Sequence, residues 1–159
     1  MNLTYFKTPL NKYTFKNPRI REWVESNCIG RVLNLYGGPT RLNVDEISND
    51  INTGFDTTYH MDALELVKNW TGDKIDTVIL DPPYSTRKSM EMYGGKIMSP
   101  FNATKDELCR IINDNGIVIT FGYHSVSMGK SRGFVQKEIL LMSHGGAIHD
   151  TIAVVEEKR

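Results

Sequence analysis

A chain of 159 residues, 40% hydrophobic and 24% charged, is long enough for one domain with a packed core and too short for two of ordinary size. Its 19 basic and 19 acidic side chains cancel, and a zero total argues against a general nucleic-acid binder, leaving only a local basic face to consider. No run of about eighteen apolar residues is present to span a membrane, the polar start Met1-Asn2-Leu3-Thr4 lacks the apolar core of a signal peptide, and the isolated Cys28 and Cys109 fit a reducing cytoplasm better than a disulfide framework.

Residues 1 to 18 are polar, with Tyr5, Phe6, Tyr13 and Phe15 among lysines, and read as an irregular arm that packs aromatic rings on the domain and presents Lys7, Lys12 and Lys16. A helix follows from Pro18 to Asn27: Pro18 suits the first helical position, and Ile20, Trp23 and Val24 share one face. Arg31 to Tyr36 reads as the first strand of the sheet, ending in the turn Gly37-Gly38-Pro39-Thr40. Glycine there lets backbone approach a ligand without a Cβ in the way.

The stretch from Arg41 to Asp50 is brief for a strand-helix-strand crossover, which normally takes a dozen or more residues. The first crossover helix is therefore expected to be abbreviated or replaced by a loop. Glu46 to Asp50 reads as the next strand with an acid at its exit. Asp62 is placed to cap a helix carrying Leu64, Val67 and Trp70. Ile75 to Leu80 is rich in β-branched and aliphatic residues with no alternation, as in a central parallel strand covered on both faces.

Residues 85 to 100, with Arg87, Lys88, Tyr93 and Lys96, have the composition of a loop offering cations to phosphates and a ring for stacking. Thr104 and Glu107 match a capping box for a helix from Thr104 to Asn115 with Leu108, Ile111 and Ile112 on its apolar face. Gly116 to Phe121 reads as another buried strand, leading into a loop with Tyr123, His124, Lys130 and Arg132 assigned to substrate. Glu138 to Ser143 and Thr151 to Val155, separated by Gly145-Gly146, read as a closing antiparallel pair. His144 and His149 lack a zinc-ligand pattern, and no metal is expected.

The most informative residues are Asp81-Pro82-Pro83-Tyr84. Two prolines stop the strand at once and remove two N–H donors, so a carboxylate, a carbonyl and a tyrosine ring leave the sheet together. Those groups suit an exocyclic amino group on a nucleobase. The Asp81 carboxylate and the Pro82 carbonyl would accept its two N–H protons and draw the nitrogen toward a tetrahedral geometry, while Tyr84 stacks on the extruded base. The plainer alternative is that Pro82-Pro83 only ends a strand and Asp81 caps the next turn.

Asp81-Pro82-Pro83-Tyr84 resembles the catalytic motif of the S-adenosylmethionine-dependent amino-methyltransferases, which methylate adenine N6, cytosine N4 or, in some RNA enzymes, guanine N2. The resemblance covers nearly the whole chain in motif order. It implies an α/β, class I methyltransferase (Rossmann-like) domain over 1–159, with residues 1–28 as arm and helix and no separate target-recognition domain. The implied sheet has seven strands in the order 3-2-1-4-5-7-6.

The resemblance also implies S-adenosylmethionine as cofactor, with Asn34, Tyr36, Gly37 and Gly38 in the loop usually written Asp-Leu-Phe-x-Gly-x-Gly. Asn34 replaces its acid and Thr40 its second glycine. Asp62-Ala63 matches the adenine-contact motif, Asp50 is expected to hold the ribose with Glu46 as the fallback, and Tyr13, Phe15 and Pro18 are expected near the methionine end. In an open α/β sheet these positions meet at the carboxyl ends of the strands.

The implied activity is methylation of cytosine N4 or adenine N6 in nucleic acid, with structured RNA such as ribosomal RNA favoured over DNA because no insertion is large enough for a sequence-reading domain. DNA methylation without such a domain is one alternative. A non-catalytic binding module of the same fold is another, and Asn34 and Thr40 favour it slightly. His124 is expected to pack or hydrogen-bond rather than serve as a strong base.

Overall fold

A computed structural model describes residues 1–83 and 100–159. Strands β1 (Asn2–Lys7), β2 (Arg31–Asn34), β3 (Asp45–Ser48), β4 (Ile75–Leu80), β5 (Ile112–Gly122), β6 (Phe134–Ser143) and β7 (Thr151–Lys158) form one sheet, and α1 (Pro18–Asn27), α2 (Ala63–Lys68) and α3 (Phe101–Ile111) cover it. The order across the sheet is β3-β2-β4-β5-β7-β6-β1. All neighbours run parallel except β7, which is antiparallel to both β5 and β6.

Beyond β3, Tyr59 makes a single parallel bridge to Asn49. Counting that bridge as the third position gives the expected order 3-2-1-4-5-7-6, with the third strand reduced to one residue pair. This is the class I methyltransferase fold. The first crossover is a loop, as the short Arg41 to Asp50 span predicts: Leu35–Val44 contains no helix.

The strands alternate between two cores because successive side chains point to opposite faces. Leu33, Val78, Leu80 and Val118 face α2 and α3 with Leu66, Leu108 and Ile111. Val32, Ile79, Ile119 and Phe121 face α1 with Ile20, Trp23 and Val24. Val78, Ile79 and Leu80 are fully buried, each contributing about 1.5–3 kcal/mol of apolar burial. That anchors the strand whose exit carries Asp81.

The N-terminal arm departs from its expected irregular form. Asn2 to Lys7 is a strand, paired in parallel with β6 from Asn2↔Glu138 to Lys7↔Ser143. Its alternation is masked in sequence because it is an edge strand with Leu3 and Tyr5 exposed. Thr4 Oγ1 and Trp23 Nε1 both donate to Glu138 Oε1, at 2.8 and 2.9 Å, fixing β1 and α1 to one carboxylate. Helix α1 has its expected bounds, and the Asn17 side chain accepts from the N–H groups of Arg19 and Ile20.

The capping box is also corrected. Helix α3 starts at Phe101, one turn before Thr104, which is therefore inside the helix and donates its hydroxyl back to the Pro100 carbonyl at 3.5 Å. The helix ends at Ile111 and β5 begins at once, with Asn115 at φ 61° where the pairing register with β4 shifts.

Candidate active site

Six segments converge at the carboxyl ends of the parallel strands: those following β1, β2, β3, β4, β5 and β6. The turn after β2 and the exit of β3 are tied together. Gly37 N–H donates to the Asn49 carbonyl at 2.8 Å, and Gly38 N–H donates to Asp50 Oδ2 at 2.9 Å. Asp50 Oδ1 accepts from Asn52 N–H at 2.9 Å.

Both glycines are required. Gly38 sits at φ +61°, and a Cβ on Gly37 would meet the Arg41 guanidinium at 3.2 Å and the Asn49 carbonyl at 3.4 Å. Asn49 serves as a clasp: its Nδ2 donates to the Leu35 and Met61 carbonyls and its Oδ1 accepts from Met61 N–H.

The two acids considered for a ribose have different surroundings. Glu46 is engaged on both oxygens, by Arg41 at 2.8 Å and by Leu42 N–H at 3.1 Å, and Arg41 also donates to the Gly38 carbonyl. Asp50 sits beyond the strand end beside Gly38, where it lines a crevice with Tyr13, Thr14, Phe15, Tyr36, Gly37, Gly38 and Asp81. Burial raises the carboxyl pKa of both acids; the Asn52 and Gly38 N–H groups offset this only partly at Asp50, and Arg41 only partly at Glu46.

Asp62 caps α2, its Oδ1 accepting from Leu64 and Glu65 N–H at 3.1 and 3.2 Å. With Ala63, Leu35, Tyr36, Asn49, Ile51 and Met61 it lines a second crevice. Tyr36 is the wall between the two. Its hydroxyl is buried with no well-formed hydrogen bond among the described residues; burial, reinforced by the charge of Asp62, pushes its phenol above the ordinary range, and the neighbouring Thr104 hydroxyl offsets this only partly. Asn34 is fully buried, its side-chain amide without a well-formed hydrogen bond among the described residues and with the Glu46 carboxylate as its polar neighbour. The crevices are small, about 20 and 10 Å3.

Space is larger on the other side of Asp81. A cavity of about 310 Å3 is lined by Asp81, Pro82, Pro83 and Tyr123, by the arm from Pro9 to Lys12, and by His144, Ile148, His149 and Thr151. His144 holds the arm to the sheet, one ring nitrogen 2.9 Å from the Thr8 carbonyl and the other 2.8 Å from Thr151 Oγ1. His149 stands edge-on to Tyr123 with centroids 6.0 Å apart. A further cavity of about 500 Å3 lies between Pro82-Pro83 and the start of α3 and includes His124, which is exposed.

Asp81 thus lines both the crevice at Gly37-Gly38 and the larger cavity. The structure brings together Asn34, Tyr36, Gly37, Gly38, Asp50, Asp62, Ala63, Asp81, Pro82, Pro83, Tyr123 and His124. Tyr13 and Phe15 reach the crevice, while Pro18 only starts α1. Tyr84, Arg87, Lys88, Tyr93 and Lys96 lie outside the described residues.

Lys130 and Arg132 are elsewhere, a correction to their assignment to substrate. Because β6 is parallel to β5, the loop from Tyr123 must cross to the opposite end of the sheet before Phe134. Both residues sit there in a short 3-10 turn, and Arg132 Nε donates to Asp106 at 2.7 Å. Two histidines and the arm from Pro9 to Lys12 were missed as cavity walls in sequence. The one signal for them was the pair of histidines flanking Gly145-Gly146.

No protein-family model and no curated protein matches the chain. Solved structures do. TrmN from Thermus thermophilus superposes with a TM-score of 0.53 at 15% identity, covering 81% of this chain, which in turn spans only 44% of that protein. The N-methyltransferase NodS from Bradyrhizobium japonicum, in complex with S-adenosyl-L-homocysteine, gives 0.58 at 11% identity over 94% of this chain and 90% of its own. Precorrin-6y C5,15-methyltransferase from Geobacter metallireducens gives 0.60 at 11% identity over 96% and 94%. At these identities the likeness establishes the fold, and it spans neighbours named for N- and for C-methyl transfer.

Proposed function

We propose that the chain is an S-adenosylmethionine-dependent methyltransferase acting on the exocyclic amino group of a nucleobase, cytosine N4 or adenine N6, in nucleic acid, with structured RNA favoured. The observation that carries this reading is the placement of Asp81-Pro82-Pro83 at the exit of β4, where Asp81 borders both the glycine turn and the 310 Å3 cavity. A donor on one side and an acceptor on the other would meet at that carboxylate.

The residues fit the cofactor in kind. Gly37-Gly38 offers backbone without Cβ, Asp50 a carboxylate for two hydroxyls, and Asp62-Ala63 an acid and a small residue beside a flat ring. When bound, S-adenosylmethionine supplies an electrophilic methyl group. Tyr36 and the Tyr13-to-Phe15 segment must move aside to admit an adenosyl group, since the crevices they close hold about 20 Å3 or less.

The protein's own contribution is positioning. Asp81 and the Pro82 carbonyl accept the two amino protons and orient the nitrogen lone pair; the rigid Pro82-Pro83 peptide keeps that carbonyl out of any helix or ladder. Base amino groups lose their proton readily after methyl transfer, so no strong base is required. Structured RNA is favoured because a shape-recognised strand with one extruded base needs little surface beyond the cavity.

Purified protein, isotopically labelled S-adenosylmethionine and total RNA or DNA, followed by nucleoside mass spectrometry, test this. The expected product is an N-methylated cytidine or adenosine with wild type and none with Asp81→Ala, which still binds the cofactor. Turnover by Asp81→Ala overturns the role of that residue. A binding-only module is the second reading, favoured by the narrow crevices at Tyr36; calorimetric titration showing no cofactor binding would support it.

A further inference from the structure

The 500 Å3 cavity beside Pro82-Pro83 contains a buried cation that no anion among the described residues matches. Lys105 on α3 is only 8% exposed. Its ammonium donates to the Ser127 carbonyl at 3.0 Å and stands 4.8 Å from the centre of the Phe101 ring. No carboxylate lies within ion-pair distance of it among the described residues. Burial, then the charge of Arg132, lowers its pKa, with Glu156 and Asp106 acting in the opposite sense.

Glu156, the nearest candidate partner in the core, is committed elsewhere. Its two oxygens accept the N–H groups of Ser127, Met128 and Gly129 at 2.8–3.2 Å. Two hydroxyls on the same cavity wall are also unmatched. Thr120 Oγ1, on a residue 7% exposed, and Ser127 Oγ are buried with no hydrogen-bond partner among the described residues.

A buried lysine without an anion and two orphaned hydroxyls are each costly unless something completes them. Together they offer three donor groups, and no carboxylate is among the described residues that line the cavity. The rest of the described wall is mostly rings and prolines, Pro82, Pro83, Phe101 and Tyr123, with Asn102 and His124 as further polar members. Three donors facing rings and prolines suit an oxyanion joined to an aromatic group, and phosphate is the oxyanion that nucleic acid carries.

We propose that this cavity binds a backbone phosphate of the substrate strand next to the nucleotide held at Asp81, with the Lys105 ammonium and the Thr120 and Ser127 hydroxyls as donors. The proposal rests on the nucleic-acid reading above and makes it more specific: the ligand is a strand with a charged linkage, not a free base or nucleoside. Pro82, Pro83 and Tyr123 line this cavity and the one at Asp81, so neighbouring nucleotides would lie on either side of that shared wall.

A binding cycle without any methyl-transfer readout tests it. Wild type and Lys105→Met, full chain, are titrated with a short single strand containing all four bases, and with the same strand made of neutral methylphosphonate linkages. Methionine keeps the length and apolar stem of lysine, and thermal melting verifies that the variant is folded. Wild type is expected to prefer the charged strand by about tenfold more than Lys105→Met does, the scale of one charge-assisted hydrogen bond. The salt dependence of binding should fall by about 0.7 in log–log slope in the variant.

Thr120→Val and Ser127→Ala should each reduce the same preference, by less. An equal preference in wild type and Lys105→Met overturns the proposal, as does a wild type indifferent to the linkage charge. Because no cofactor is present, failure of methyl transfer would leave this outcome unchanged, and the two readings fail separately.

Discussion

Gly38 donates its backbone N–H to Asp50 Oδ2 at 2.9 Å, so the turn after β2 and the acid after β3 behave as one unit. Asp50 is also raised in pKa by burial. The folded state therefore holds this proton more tightly than the unfolded chain, whose value is near 3.8. Its contribution to stability is complete below that value and is lost as pH rises through the raised folded value. Asp50→Asn, which keeps an oxygen for Gly38, should flatten the decline in melting temperature across this range relative to wild type.

The Tyr36 hydroxyl, buried with no well-formed hydrogen bond and only Thr104 as a polar neighbour, makes Tyr36→Phe an informative change. Removing it should shift stability by no more than about 1 kcal/mol in urea unfolding. Tyr36→Ala should instead cost about 3–5 kcal/mol for the lost ring, and should open the crevice walls between Asp62 and Gly37.

Glu156 is 1% exposed and holds the loop from Ser127 to Gly129 through three N–H donors. Glu156→Leu strands all three. A loss of roughly 2–4 kcal/mol is expected from chemical denaturation, whereas Glu107→Gln, at a half-buried position on α3 with only a loose pair to Arg110, should change it by less than about 0.5 kcal/mol.

Cys28 should be inert. Burial, with the charges of Glu25 and Glu46, pushes its thiol up to about 12 from 9.0, so its thiolate population near neutral pH is about a thousandfold below that of a free cysteine. Peptide mapping after brief alkylation at pH 8 should find Cys28 unlabelled in the native protein and labelled after denaturation.

Local signals carried over well into structure. Pro18 and the Ile20-Trp23-Val24 face define α1, Asp62 caps α2 as its position predicts, and Ile75 to Leu80, rich in β-branched and aliphatic residues, is a strand buried on both faces from Thr77 onward. Signals that depend on distant partners did not. β1 is a strand because of β6, more than 130 residues away, and nothing in Asn2 to Lys7 announces that pairing.

Thr104 and Glu107 had the spacing of a cap, yet the helix begins a turn earlier. Lys130 and Arg132 had the right charge, but the direction of β6 carries them to the wrong end of the sheet. Lys105 was legible only as a cation on the apolar stripe of α3, three residues before Leu108. Its lack of a counter-ion appears only once β5 and the Ser127 loop are placed around it.

The pairing of β1 with β6 sets an order of events in folding. Strand β1 docks against a strand more than 130 residues further along the sequence, so its closure waits for the residues between them. The segment it delivers, Pro9 to Lys12, walls the cavity at Asp81, and ligand-binding competence should therefore return after the bulk of helical and sheet signal in a refolding experiment.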